Sequence, residues 1–496
     1  MRAGVIAAVL LVGTAGSLPG QQPVLPSVPQ ALGLDEAVQL AERSNPAYRQ
    51  VANDRGAAVW DVRNAYSQLF TPSVTASGSF GYRGPGSQTF AAVEFVQGSS
   101  TIASSYSLGL NWQLSGATLA QPGLAKAQLR ATDATIDGAR NNLRAGITQQ
   151  YLSVLQAEEQ VGLARSQLTR NEEFLRLAEA RYQVGQATLL DVRQAQVARG
   201  QAEVALLEAN QAVIVEKLRL FQQMGTPAPD DPTVVTLTDT FPVVQPTWDL
   251  RQLLQAAEAE NPDVNALRAR AAAARSSASA SKSEWLPSLS FSAGWSGFTQ
   301  QYTNGDFLVN QARDGLLTAR TECDYSNQAW LNPGEPPLDC ALLQLTPADE
   351  QAIRDGNDVF PFSFTRQPFS ASLTLSLPLF TQFGRPARIA QASQLADDAQ
   401  QQVEARRLQV RTDVSQAFYG LRASYQAVAI QETNRQAAQE QLRLATERYR
   451  VGSGTFFELL DAQLAEQRAE ADYINATYAY HRAIATLEAA VGRSLR

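Results

Sequence analysis

The chain carries one histidine, two cysteines and two methionines in 496 residues. That scarcity excludes chemistry before any motif is sought. A zinc site gathers three or four nitrogen, sulfur or carboxylate ligands, and one histidine with a distant cysteine pair does not supply the usual set. Ser–His catalysis needs a histidine beside its nucleophile. The only histidine, His481, lies in a helical stretch beside Tyr478 and Tyr480 and reads as a packing or surface residue. No nucleophile elbow, phosphate loop or HExxH occurs, so neither an enzyme nor a cofactor is expected. Lysine is nearly missing too, at Lys126, Lys217 and Lys282 only, and no function follows from that. A net charge of −7 without a basic cluster excludes a broad nucleic-acid footprint. With 44% hydrophobic and 18% charged residues the chain is too apolar to be disordered.

Long apolar runs are also missing. After residue 20 no uninterrupted stretch of about 20 apolar residues appears, so no transmembrane helix is expected. Residues 1–20 have Arg2, an apolar run from Val5 to Val12 and then small residues, which is the layout of a signal peptide. Export without a spanning helix leaves a soluble protein outside the inner membrane or a β-barrel in an outer membrane.

What is abundant is repetition. "RYQVGQAT" (181–188) returns as "RYRVGSGT" (448–455), 267 positions on. The starts of two units also correspond: "LDEAVQLAERSNPAYRQ" (34–50) and "LRQLLQAAEAENPDVNA" (250–266). In both, an amphipathic helix stops at Asn-Pro and another begins on the proline, a favourable first helical position. Gly225 and Gly492 close the units, again 267 apart. The expected organisation is a first repeat over 21–225, a proline-rich linker over 226–247 and a second repeat over 248–496.

Four segments alternate apolar and polar residues: about 72–83, 105–115, 287–298 and 367–380. In the second, Tyr106, Leu108, Leu110, Trp112 and Leu114 alternate with partners such as Ser107, Asn111 and Gln113. Alternation over about ten residues with small hydroxylated partners is the signal of a transmembrane β-strand with a wet lumen. A half-buried strand of a soluble sandwich alternates as well. Four strands cannot close a membrane barrel, whose smallest forms have about eight, and open edges in lipid leave backbone groups unpaired. Strands pooled from three chains would number twelve.

Long helices are expected at about 121–182, 188–224, 386–449 and 455–490. Ile147, Val154, Val161, Leu168, Leu175 and Tyr182 recur every seven residues, and the second copy repeats the row as Val414, Leu421, Val428, Arg435, Leu442 and Tyr449. That period implies left-handed supercoiling, with Arg435 as a polar position in the row. Gly185 and Gly452 are placed to end helices in the left-handed conformation. Thr188 and Thr455 can cap the following helices, with Asp191 and Glu458 completing capping boxes. Asp461, one turn further, has no capping role. The stretch 300–366 reads as a long irregular loop, some fifty residues longer than its counterpart at 83–105. It holds Cys323 and Cys340, read as a disulfide worth about 3 kcal/mol, with two free thiols as the alternative.

The paired Asn-Pro junctions, paired RYxVGxxT turns and paired strands resemble the TolC-like outer membrane efflux proteins over nearly the whole chain. The resemblance implies an α+β homotrimer, with a twelve-stranded barrel in the outer membrane and an all-α helical barrel continuous with it through the periplasm. It implies a passive exit duct for efflux or type I secretion, docked to a periplasmic adaptor and an inner-membrane transporter. A periplasmic structural or adhesin-like coiled-coil protein without a channel is the rival. The turns with Tyr182, Gly185, Thr188 and Asp191, and with Tyr449, Gly452, Thr455, Glu458 and Asp461, would form the periplasmic tip. The second would carry the gate, with Glu458 and Asp461 as acidic rings. Gly454 stands where the family's arginine would link neighbouring helices.

Overall fold

The computed structural model describes residues 29–90, 93–329 and 336–495, so the expected signal peptide lies outside the described residues. In chain order the elements are β1 (Ala31–Leu32), α1 (Leu34–Ser44), α2 (Pro46–Phe70), β2 (Ser73–Arg83), β3 (Gly86–Phe90), β4 (Val93–Gln97) and β5 (Thr101–Leu114). Next come α3 (Gly116–Gln183), α4 (Leu189–Met224), β6 (Thr236–Leu237), α5 (Leu250–Glu260) and α6 (Pro262–Lys282). The chain ends with β7 (Ser288–Tyr302), α7 (Gly305–Ala329), α8 (Pro347–Asn357), β8 (Thr365–Arg366), β9 (Ser370–Ser376), α9 (Gly384–Arg450) and α10 (Phe456–Val491). Two compact units result, one comprising the described residues up to Asp61 with Leu124–Ala278 and Ala390 onward, the other Val62–Gly123 with Ser279–Ile389.

The first unit is helical. At 68 residues, α3 is about 100 Å long at 1.5 Å per residue. The two Asn-Pro junctions explain both the asparagine and the distant glycine. Asn45 ends α1, and its Nδ2 donates to the Gln223 carbonyl at 2.7 Å, capping the far end of α4. Asn261 repeats this on Ala490 of α10 at 2.8 Å. Gly225 and Gly492 sit at φ 73° and 91°, and a Cβ on either would meet the facing junction at under 3 Å. Only glycine meets both conditions.

Each repeat has its own core. Leu32, Val38, Ile147, Tyr151, Leu220 and Phe221 pack in the first, while Leu253, Val414, Leu421, Tyr480 and Leu487 pack in the second. His481 is buried, its ring 5.1 Å from that of Tyr480. The segment after Gly225 is tied down: β6 pairs in parallel with β1, and the buried Lys217 donates to the Val235 carbonyl while pairing with Glu158 at 2.8 Å.

The expected seven-residue rows fare differently. In α9, Val414, Leu421, Val428, Leu442 and Tyr449 are buried. Arg435 keeps its place there by pairing with Glu432 at 2.9 Å and lying 4.6 Å over the Tyr473 ring. In α3 the row drifts outward: Ile147 and Val154 are buried, but the buried line then passes to Ala157, Ala164, Asn171 and Ala178, and Tyr182 is 46% exposed. The buried line keeps the seven-residue spacing but steps three residues along the helix, from Val154 to Ala157, so the small residues take the interface and the large ones stand beside it.

In the second unit β2, β5, β7 and β9 form an antiparallel sheet, with β8 beside β9 along β7. The register settles where the side chains go. Ser77 stands opposite Ser107, which stands opposite Ser296, and Ser292 opposite Ser372. One face therefore carries Ser73, Thr75, Ser77, Asn111, Gln113, Ser290 and Thr374, and the hydroxyls of Ser77 and Ser107 lie 2.7 Å apart. The other face carries Val74, Phe80, Leu108, Leu110, Trp112, Phe291, Trp295, Leu373 and Leu375. Much of this apolar face is open, with Phe80 68% and Leu375 71% exposed.

The strands differ from expectation at their ends. β5 begins at Thr101 rather than 105 and β7 runs on to Tyr302, the two paired from Thr101–Tyr302 to Leu114–Leu289. β9 is shorter than 367–380 because Pro368 and Pro378, with no N–H to donate, bracket it. The expected irregular regions are not irregular. Residues 83–105 include the hairpin β3–β4, and 300–366 include α7 and α8. Thr346 and Asp349 form a capping box around Pro347, a start signal written in the sequence as "TPAD". Arg354 bonds Asp306 across the two helices at 3.0 Å, and Cys323 is bonded to Cys340.

Candidate functional site

The two repeated octets form the turns α3–α4 and α9–α10, and both are built by the same local rules. Gly185 and Gly452 adopt φ 78° and 82°. Gly185 N–H donates to the Tyr182 carbonyl at 3.0 Å and Gln186 N–H to Arg181 at 2.8 Å; Gly452 and Ser453 repeat both bonds on Tyr449 and Arg448. This is the paired-bond C-cap that satisfies the last carbonyls of a helix.

The starts of the next helices diverge. Thr188 and Asp191 make the full reciprocal box, Thr188 N–H to Asp191 at 2.8 Å and Asp191 N–H to Thr188 at 3.3 Å. The expected second box is only half present. Thr455 accepts from Glu458 N–H at 3.2 Å, but the Glu458 carboxylate does not return to the Thr455 backbone. It points instead at Arg448, 3.6 Å away. Gly454 makes this possible, since a Cβ there would lie 3.2 Å from that carboxylate and 3.0 Å from the Arg448 Cβ. Asp461 is exposed one turn on.

The turns are joined by a residue with no role in the sequence reading. Arg181 lies with its guanidinium 4.4 Å over the Tyr449 ring, donates to the Tyr449 carbonyl and reaches the Gln186 carbonyl at 3.2 Å. One cation thus caps carbonyls of both turns. Beneath it Tyr449, 3% exposed, packs edge-on to Phe456 among Ala178, Val192, Leu442 and Leu459. Burial, reinforced by the Asp191 charge and opposed by Arg181, holds the Tyr449 phenol above its usual range, so it stays protonated. Tyr182, its counterpart, is exposed. The structure therefore brings Tyr449 and Gly452 against Arg181, leaves Glu458 with Arg448, and keeps Asp461 apart. Cys323 and Cys340 belong to the other unit. The only advance signal for Arg181 was its presence in both octets, and which arginine reaches across depends on packing.

Further from the turns, Arg170 pairs with the 2%-exposed Glu466 at 2.6 Å, and Gln156 donates to Asn475 at 2.7 Å. These contacts hold α3 against α10. No helix among the described residues is long and apolar enough to cross a membrane.

A family model described as outer membrane efflux protein matches residues 37–226 and 348–493. Solved structures with the same fold cover most of the chain. A membrane protein from Pseudomonas aeruginosa is 20% identical with a TM-score of 0.66, covering 93% of this chain and 90% of that one. The outer membrane protein VceC of Vibrio cholerae is 18% identical with a TM-score of 0.64, over 93% and 97%. The open state of the Neisseria gonorrhoeae MtrE outer membrane channel is 19% identical with a TM-score of 0.64, over 93% and 89%.

Proposed function

The chain belongs to the outer membrane efflux protein family, and we propose that it works as a passive exit duct: a homotrimer whose twelve pooled strands form one barrel in the outer membrane. Its two repeats, 21–225 and 248–496 around the 226–247 linker, supply the helices of a periplasmic tunnel. A periplasmic adaptor and an inner-membrane transporter open that tunnel, and the duct performs no catalysis of its own.

The observation that carries this reading is the sheet. It has a hydroxyl and amide face, an exposed apolar face, and two outer edges with no partner strand among the described residues, β2 and β9. In lipid those edges must be paired. Four strands alternating in direction leave β2 and β9 antiparallel, so copies related by rotation can join β9 to β2 in the pattern of every other pair. Three copies give twelve strands, with apolar side chains toward lipid and hydroxyls toward water. The soluble coiled-coil alternative leaves the exposed row of Val74, Phe80, Leu373 and Leu375 without purpose.

At the tip, Arg181 and the second turn are the elements that would have to part when the duct opens, and Glu458 and Asp461 would ring the constriction. The test is extraction and conduction. The protein should require detergent, migrate as a heat-modifiable trimer, and conduct ions in a planar bilayer. A water-soluble monomer that carries no current would overturn the reading.

A further inference from the structure

The helical unit holds a cleft that the duct reading leaves unused. It has a volume of about 380 Å³, and its walls come from α3, the segment that follows β6, and α10. Glu159 of α3 lines it, exposed and with no hydrogen bond or ion pair among the described residues. Its neighbour Glu158 is committed to Lys217 at 2.8 Å. Asp239 adds a second carboxylate; its Oδ2 accepts the Leu34 N–H at 2.6 Å, and no cation pairs with it among the described residues. Neither lysine nor arginine lines the cleft.

Aromatic rings make another part of the wall. Phe241 lies 5.8 Å from the ring of His481, which lies 6.3 Å from that of Tyr478. Burial, with the charges of Glu159 and Glu158 behind it, pushes the Tyr478 phenol up to about 12, so the field at this wall is negative. Beside it the Thr477 hydroxyl is buried without a partner. Other threonines of the long helices settle theirs locally: Thr412, Thr433, Thr446 and Thr486 each donate to the carbonyl four residues back. A buried hydroxyl that forgoes this bond is costly unless something else in the cleft supplies one.

We infer that this cleft binds a small protonated amine carried on an apolar body. The ammonium group donates to the Glu159 carboxylate and the Thr477 hydroxyl, while the body lies against Phe241 and Tyr478. Aromatic faces attract a cation within about 6 Å of the ring centre, and an ammonium brings the N–H donors that both oxygens lack. An anion meets two carboxylates with no compensating cation. A metal ion is a poorer fit, since no group of three metal-ligating side chains occurs among the described residues. The volume lies near the lower end of the roughly 300–1,000 Å³ of small-molecule sites, so the ligand is small. The site lies within one copy of the chain and goes beyond the duct reading.

Calorimetric titration of the full chain in detergent with phenethylammonium chloride tests this. Phenethyl alcohol is the companion probe, of nearly the same shape without the charge. The ammonium should bind saturably, one per chain, and the alcohol should not. Glu159→Gln and Tyr478→Leu should each weaken the ammonium about tenfold. Glu159 is exposed, so its variant should melt like the wild type and keep the test clear of misfolding. No saturable heat from the ammonium, equal binding of the alcohol, or full affinity in Glu159→Gln would each overturn the site. All three leave the duct standing, because conduction by the same preparation in a planar bilayer decides that separately.

Discussion

Replacing Arg181 with methionine keeps the apolar stem and removes the cation that spans the two turns. The contacts at stake are its bond to the Tyr449 carbonyl and its position 4.4 Å over that ring. A hydrogen bond from a charged donor contributes about 1.5–3 kcal/mol net, and a partly exposed cation–π contact about 0.5–1 kcal/mol. Against this, the Arg181 Nε is buried without an acceptor, a cost of about 1 kcal/mol that the substitution removes. The net loss is about 2 kcal/mol, which moves a two-state equilibrium about 30-fold. Single-channel recording of R181M should show that shift as a rise in open probability. Hydrogen exchange at 449–454 should lose protection by the same factor, and R181K should fall between. If R181M records like the wild type and its second turn exchanges no faster, the clasp does not hold the turns together.

Three further outcomes follow from the geometry. Glu458→Ala and Asp461→Ala, singly and together, should lower the preference for cations over anions in planar bilayers; unchanged selectivity would remove the acidic ring. Gly492→Ala puts a Cβ 2.5 Å from the Pro262 ring at a positive φ, so helical melting should show a loss of about 3 kcal/mol. A neutral result would mean the junction gives way freely. For Glu466, burial outweighs Arg170 and raises the carboxyl above the ordinary glutamate range. The folded state therefore binds this proton more tightly than the unfolded state, so stability rises as pH falls through the raised value and levels off below about 4.5. Glu466→Gln should flatten that acid-side gain in circular-dichroism melts, and a variant that keeps it would place the proton elsewhere.

Much of this architecture is legible in the sequence because it rests on local rules. Gly185, Thr188 and Asp191 announce a helix stop and start by φ and capping alone, and the serine alternation in Ser288–Ser292 announces a two-faced strand. The signals that failed depend on distant partners. Glu458 has the right spacing for a capping box, but Arg448 competes for its carboxylate. Arg181 and Arg448 are equivalent in sequence, yet only the first meets the opposite turn. The helix α8 was missed although its capping box stands in plain letters at Thr346–Asp349.

The unequal caps of the two turns have a mechanical consequence. In the first, the acid at the third helical position is committed to its own backbone, so the opening turn of α4 is closed at both ends. In the second, that acid turns to Arg448 and the N–H of the capping Thr455 goes without its return bond. Losing half a cap costs a helix end about 0.5–1 kcal/mol, so α10 frays before α4 at any common load. A pull shared evenly between the two hairpins would thus be answered unevenly, the first moving as a stiff post and the second yielding at its base.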